Sequence, residues 1–349
     1  MRLQFQFLET VNGLDNSNIQ IIPRIRQQLG EATTAPGMVM ISLSAVALGA
    51  AFGGYLPLIS LWMETFNISF QRIGIVCGAS AVGVVSSAYF APKLAARYGY
   101  ILTINVGLVV AAIMTVAFRF TDNYGLWLAL RFVSGLGLGL HWVLTEAWLA
   151  NIVTEKYRTR VMAIYATAIS IGFAVGPMVI WLFGALSIIP FIIMGALLIL
   201  AALPILRLKG HEPKDSQTRS ASPLILIKKA PTVASACIVV GSVDLALISL
   251  LPAMITRTPE AAPILALIIV PAMAIGATIL QYPIAIIADK HGLRKVGVIT
   301  VCAGLIFASL IPFFLGSVLL TLLFGFFAAG LVYALYSIGL AMLSRRFSG

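Results

Sequence analysis

Residues 186–206 read LSIIPFIIMGALLILAALPIL, and the next stretch, residues 207–231, reads RLKGHEPKDSQTRSASPLILIKKAP. The first stretch carries no charge. As a helix rising about 1.5 Å per residue it is about 30 Å long, the thickness of a bilayer's hydrocarbon core. The second is the only long polar insertion in the chain. Working outward from this junction, apolar runs of similar length recur on both sides, and ten spans can be placed: about 38–63, 72–95, 101–120, 125–149, 161–184, 186–206, 232–256, 262–287, 293–314 and 317–343. Their interior glycines and prolines suit membrane helices, where neighbouring helices satisfy the freed backbone groups. The junction at 207–231 divides six spans from four.

The composition points the same way. Hydrophobic residues make up 60% of the 349 and charged residues 10%, with a mean hydropathy of +1.02. A soluble domain carries about 25% charged residues because its surface must face water. The net charge of +11 does not mark a nucleic-acid binder, because the basic residues fall in short clusters between apolar runs and form no aromatic-interleaved patch. Cys77, Cys237 and Cys302 each lie inside an apolar run without ligand spacing, as buried free thiols do. Residues 1–37 hold Arg2, Glu9, Asp15, Arg24, Arg26 and Glu31 and no long apolar core. They form a leader on the cytoplasmic side rather than a secretory signal, or an over-extended start, since Met38 opens the first apolar run.

Orientation follows from the loops. With the N-terminus in the cytoplasm, nineteen Lys and Arg fall on the inner side and three, Arg72, Arg119 and Arg257, on the outer side; Arg131 lies within a span. The excess of basic residues in cytoplasmic loops is a general property of membrane proteins.

The two blocks also align with each other. Leu58-Ile59-Ser60-Leu61 matches Leu247-Ile248-Ser249-Leu250; Tyr89 and Gly99 match Tyr282 and Gly292; Gly139-Leu140 with Trp142 matches Gly330-Leu331 with Tyr333. The near-constant offset marks an internal repeat, and parallel repeats about an axis along the membrane normal are a transporter architecture. The domains expected are therefore a leader (1–37), a six-helix bundle (38–206), a cytoplasmic linker (207–231) and a four-helix bundle (232–349). The repeat predicts two further helices after Gly349; a ten-helix protein is the alternative.

Several motifs resemble the major facilitator superfamily. Ala288-Asp289-Lys290-His291-Gly292-Leu293-Arg294-Lys295 is similar to its D-R-x-G-R-K loop between the eighth and ninth helices. The first-half counterpart, Leu94-Ala95-Ala96-Arg97-Tyr98-Gly99-Tyr100, keeps the basic residue and the glycine but has Ala96 in place of the Asp. Arg131-Phe132-Val133-Ser134-Gly135-Leu136-Gly137 resembles the R-x-x-x-G-x-G pattern of proton-coupled drug exporters. Gly172-Phe173-Ala174-Val175-Gly176-Pro177 resembles the G-x-x-x-G-P element of antiporters. Glu146-Ala147-Trp148, with Arg158-Thr159-Arg160-Val161, resembles the bacterial YcaD-like subgroup.

The resemblance implies an all-α integral membrane bundle of two parallel six-helix repeats, the second incomplete. It implies a secondary active transporter, not an enzyme, moving a small molecule by alternating access. It would sit as a monomer in the bacterial inner membrane, with no nucleic-acid partner. No cofactor or metal is expected, and a proton gradient would supply the energy. Efflux by proton antiport is the reading the fifth-helix element favours. Uptake by symport, or a non-transporting sensor or assembly role, are the alternatives.

Charges inside the membrane are costly, so each is a functional hypothesis. Asp244 lies near the middle of the seventh span among Val239, Val240, Leu245 and Leu247. Desolvation favours the neutral form of a carboxyl group, which suits proton or substrate coupling; a structural carboxylate satisfied by its neighbours is the other reading. Arg131 would recognise substrate charge or, as the resemblance implies, tune a carboxylate. Helical spacing aligns Arg131, Gly135, Leu138, Trp142 and Thr145 on one face. With Tyr55, Asp244, Tyr333 and Tyr336, that face would line a central cavity if the family arrangement holds. Glu146 is expected to pair with Arg97, Arg158 or Arg160 in an inner latch that also includes Gly99, Asp289, Lys290, Gly292 and Arg294. Gly172, Gly176 and Pro177 permit close helix approach and a bend, for packing alone or for movement. His141 is either a proton relay or a hydrogen-bonded packing residue.

Overall fold

A computed structural model describes residues 36–152, 155–213 and 231–347. Residues 1–35 of the expected leader and most of the linker lie outside this range. The described chain is helical: α1 (Pro36–Glu64), α2 (Phe70–Tyr98), α3 (Tyr100–Ala117), α4 (Tyr124–Ile152), α5 (Glu155–Phe183), α6 (Ile189–Leu206), α7 (Pro231–Thr256), α8 (Leu265–His291), α9 (Leu293–Leu310) and α10 (Val318–Phe347). Short 3-10 turns at Phe118–Phe120 and Ile311–Phe314 prolong α3 and α9. All ten helices are long and apolar enough to cross a membrane. Helix α5 begins at Glu155, ahead of its apolar span at Ile164, because helical hydrogen bonding continues after the side chains become polar.

Successive helices alternate in direction, so the loops sort to two ends. One end, called here the basic end, carries the α2–α3 and α8–α9 connections. Each of these is a single glycine with positive φ, Gly99 at 83° and Gly292 at 97°. Each glycine N–H closes the preceding helix, on Ala95 O at 2.8 Å and on Ala288 O at 2.9 Å. Side-chain-bearing residues resist such φ values, so the repeat seen in the sequence reappears as one turn built twice. The opposite, far end holds the 65–69, 121–123, 184–188, 257–264 and 315–317 connections.

Packing repeats as well. Helix α4 lies against α2 and α3, and α10 lies against α8 and α9 in the same pattern. The close approach uses equivalent glycines. A side chain on Gly83 would strike the backbone oxygen of Phe132 in α4, and one on Gly276 would strike that of Phe326 in α10. Outward faces carry large apolar side chains, such as Phe313, Leu319 and Phe120, each more than two-thirds exposed. Water would not tolerate so much apolar surface; lipid does.

The two helical blocks share a core only toward the far end. There Leu56 of α1 joins Ile248, Leu251 and Ile255 of α7 and Leu265 and Ile269 of α8, with Phe173 of α5 packed alongside. Leu250 and Leu267 also reach the first block's far-end core. Toward the basic end the described cores separate. Leu48, Tyr100, Trp148 and Tyr165 belong to a cluster confined to α1–α6 and the turn after α6. Ala288, Leu293, Val296 and Ile338 form another confined to α8–α10. Among the described residues the two blocks share a core at one end and have separate cores at the other.

Candidate functional site

Arg131 lies on α4 in the sealed half and is completely buried. Its guanidinium carbon stands 4.9 Å from the centre of the Tyr55 ring of α1, and Tyr55 is itself 2% exposed. Thr115 of α3 and Cys77 of α2 complete the surroundings of these two residues, and Ser249 of α7 lies beside Cys77. Among the described residues none of the three guanidinium nitrogens, nor Ser134 Oγ, makes a well-aligned hydrogen bond; Tyr55 Oη lies near Thr115 and Arg131, and Ser249 Oγ near Cys77. Tyr55 and Arg131, both expected site residues, are thus brought together. Ser134 and Ser249 were not anticipated. Ser249 was signalled in the sequence by the repeated Leu-Ile-Ser-Leu, in which Ser60 donates its hydroxyl to Pro57 O at 2.9 Å, and Ser134 by its place in the R-x-x-x-G-x-G stretch.

The rest of the predicted α4 face is packed and does not form a cavity wall. Gly135 lies against the α2 backbone at Ser80, and Leu138 is core. Thr145 is fully buried, donates to His141 O at 2.7 Å and lies 3.1 Å from Tyr165 Oη. The small residues on this face let α2 and α4 meet, and that contact removes the space a cavity needs. Trp142 remains half-buried, its ring edge-on to Phe52 at 6.3 Å.

Glu146 does not pair with Arg97. Its Oε1 accepts a 2.7 Å hydrogen bond from Trp142 Nε1, one turn away on the same helix, while Arg97 stacks over Tyr98 at 5.2 Å. A local i, i+4 partner is reached without bringing two helices together. The side chains of Arg158, Arg160, Asp289 and Tyr336, also assigned roles from the sequence, lie outside the described residues.

His141 is completely buried, and its Nε2 lies 2.8 Å from Ser44 Oγ. The Ser44 hydroxyl donates to Ala201 O at 2.7 Å. With that proton committed, the imidazole must donate from Nε2. His141 therefore ties α1, α4 and α6 together, which favours the packing role over a relay.

Asp244 sits half-buried midway along α7, next to Val243, which packs on Val240, Val332 and Leu335. Among the described residues no hydrogen bond or ion pair joins Asp244 to Arg131. Tyr333 is half-buried on α10. Gly172 and Gly176 lie on the α1 backbone, at Val46 and Gly49 and at Ala50 and Gly54, while Gly49 and Gly53 return the contact at Ile169 and Phe173. Pro177 follows inside α5. Of the expected buried thiols, Cys77 is buried but Cys302 is exposed on the apolar outer surface; Cys237 has no described side chain. Among the described residues no cluster of three or more His, Cys, Asp or Glu could hold a metal ion.

At the basic end, Lys290, Gly292 and Arg294 are exposed. Here Glu212, just after α6, accepts a 2.9 Å hydrogen bond on Oε2 from Tyr100 N, capping α3. Its carboxylate occupies the place beside Gly99 and complements the helix dipole, close to where Ala96 had left the first-half loop without its acid.

The ion pair among the described residues lies at the far end. Arg257 Nε donates to Glu64 Oε1; its Nη2 donates to Ile68 O at 2.6 Å, and its guanidinium covers the Phe70 ring at 4.1 Å. The hydrogen bond to Glu64 holds the Arg257 guanidinium above its ordinary pKa. Glu64 and Arg257 close repeat-equivalent helices with opposite charges, a signal available in the sequence and missed there.

Residues 41–349 match the sequence profile of the Major Facilitator Superfamily. The chain is 26% identical over 273 residues to the uncharacterized transporter of that type YfkF of Bacillus subtilis, covering 76% of this chain and 68% of YfkF. It is 23% identical over 261 residues to the uncharacterized transporter YcaD of Salmonella enteritidis PT4, covering 73% of this chain and 65% of YcaD. Other curated relatives are spanned over 55% of their length. In fold, the chain is similar to a bacterial homologue of the human lysosomal transporter Spinster, solved in an inward-facing and occupied conformation. That match has a TM-score of 0.68 and 19% identity, covering 88% of this chain and 74% of the other.

Proposed function

The chain belongs to the major facilitator superfamily, and from that premise we propose that it moves a small molecule across a bacterial inner membrane by alternating access coupled to protons, in the efflux direction. The observation that carries the access cycle is the one-sided seal: a core shared by both blocks and the Glu64–Arg257 pair at the far end, against separate cores at the basic end. The excess of Lys and Arg at the basic end supports a cytoplasmic N-terminus. In that orientation the end where the described cores separate faces the cytoplasm, which supports an inward-open reading.

Asp244 supplies the coupling group in this reading. It is an acid in an apolar span, without an ion-pair partner among the described residues, on the helix that carries the far-end contacts. Proton exchange needs a carboxyl group that can be neutral or charged according to which side it faces. The G-x-x-x-G-P element at Gly172–Pro177, similar to that of antiporters, supports the direction, and its glycines bring α1 and α5 into close contact.

Transport in inside-out vesicles carrying the full-length protein tests the proposal. An imposed proton gradient should be dissipated by a substrate from a broad panel, and Asp244→Asn should abolish this while insertion persists. A gradient unaffected by the whole panel overturns antiport. Unchanged exchange in Asp244→Asn removes Asp244 from the mechanism. Accumulation in the opposite direction replaces efflux with symport.

A further inference from the structure

The surroundings of Arg131 hold hydroxyl groups but, among the described residues, no carboxylate paired with it. Its three guanidinium nitrogens are unpartnered at zero exposure, and Ser134, on the same helix one turn away, carries another unpartnered buried hydroxyl. Tyr55 Oη, near Thr115 and Arg131, and Ser249 Oγ, near Cys77, are buried as well. Cys77, between Arg131 and Ser249, adds only a weak S–H donor. Glu64 is engaged by Arg257, and among the described residues no hydrogen bond or ion pair reaches Arg131 from Asp244.

A guanidinium removed from water without a counter-charge is costly. The Tyr55 face offsets only part of this. Water could accept hydrogen bonds here but brings no negative charge. What the cluster lacks is an anion: a compact group with several lone pairs, accepting from the planar guanidinium fork and from hydroxyls on either side.

We propose that this cluster is an anion site, and that the molecule handled by the transporter presents a carboxylate or comparable oxyanion to Arg131, Tyr55, Ser134 and Ser249. The inference rests on the transport reading and names its substrate class. Its geometry adds a coupling feature. Arg131, Tyr55 and Ser134 belong to the first block, whereas Ser249 belongs to α7 of the second. An anion held by both would bridge the blocks at the sealed half, and separation of α7 from α1 and α2 would give it a way in and out. The guanidinium fork suits a carboxylate bidentately, which a lysine could not reproduce.

The test is read in detergent, without any gradient, so it is separate from the transport assay. The melting midpoint of the purified chain is followed while sodium benzoate, sodium phosphate or sodium chloride replaces sodium gluconate at constant ionic strength. We expect a saturable upward shift with benzoate in the wild type. Ser249→Ala should raise the half-saturating concentration about tenfold, the loss of one hydrogen bond to a charged group. Arg131→Lys should raise it further, and Arg131→Gln should remove the shift. Saturation by chloride or phosphate alone assigns the site to an inorganic anion and overturns the substrate assignment. Equal, unsaturable shifts with every salt overturn the site itself, as does a benzoate shift that Ser249→Ala and Arg131→Lys both leave unchanged. If Arg131→Gln does not fold, the Ser249→Ala and Arg131→Lys titrations decide. A benzoate shift in a protein that transports nothing would sink the transport reading and keep the site.

Discussion

Arg257 and Glu64 are joined across the two halves at the end of the bundle opposite the basic clusters, with Arg257 also bonded to Ile68 O and laid over Phe70. One side chain from α7's end thereby touches the end of α1, the following turn and the start of α2. The contact is partly exposed, so it acts as a latch whose strength depends on salt.

Glu64→Gln or Arg257→Ala should loosen that latch. A partly exposed ion pair contributes about 1 kcal/mol or less, so the shift in the closed population should be up to about fivefold. Spin labels at Asn67 and Glu260 would report it as a longer, broader distance distribution. High salt should move the wild type in the same direction and the variants hardly at all. An identical distribution in all three proteins would show that the shared apolar core alone keeps this end shut.

The same pair sets a pH expectation. Arg257 is raised above its ordinary pKa, so its contribution is complete below the unfolded value and is lost only as pH rises through the still higher folded value. Across the neutral range the guanidinium stays charged. The Asn67–Glu260 distance should therefore not change between mildly acidic and mildly basic buffer through Arg257. An opening on mild alkalinisation would contradict this.

Glu212 and Gly99 make a second, local prediction. Removing the cap on Tyr100 N with Glu212→Ala should cost about 1 kcal/mol and speed hydrogen exchange in the first turn of α3. Gly99→Ala and Gly292→Ala both force a side chain into positive φ, at about 1–2 kcal/mol. Only Gly99→Ala also meets a neighbour, the Glu212 carboxylate at 3.0 Å from the new Cβ, whereas nothing lies within 4 Å at Gly292. Gly99→Ala should thus lower the melting midpoint more than Gly292→Ala. The reverse order would mean that Glu212 moves aside freely.

At the α1–α5 crossing, Gly172→Ala would drive a methyl into the α1 backbone at Val46, Gly49 and Ala50. Overpacking of this kind costs about 1–3 kcal/mol. Gly78→Ala, with open space around it inside α2, is the control that should leave the midpoint unchanged or raise it, since alanine favours a helix interior. Equal midpoints for the two variants would show that α1 and α5 can part without loss.

Trp142 and Glu146 should behave as a coupled pair. Trp142→Phe removes the indole donor and leaves the carboxylate without its described partner, at about 1–3 kcal/mol. In a double-variant cycle with Glu146→Gln the two losses should fall short of additivity. Strict additivity would show that the hydrogen bond contributes nothing.

The contrast between these sites shows what kind of information each part of the chain holds. The run at 186–206 announces a membrane helix without any knowledge of its neighbours, because crossing hydrocarbon is a condition on one segment's length and polarity. The ten spans, the one-sided distribution of Lys and Arg and the repeat that returns Gly99 as Gly292 are all of that kind. They were readable one segment at a time. Tertiary structure alone decided the rest. It packed the Gly135–Leu138–Thr145 face that spacing assigned to a cavity, gave Glu146 a tryptophan partner on its own helix, and joined Glu64 to Arg257. It also gathered Tyr55, Arg131 and Ser249 from three helices into one cluster without a described counter-charge. Those outcomes depend on which helix faces meet, and in lipid every apolar face is an equally good candidate for burial. Hydropathy therefore told which segments enter the membrane, while close packing of small residues and the placement of a few polar side chains chose their partners.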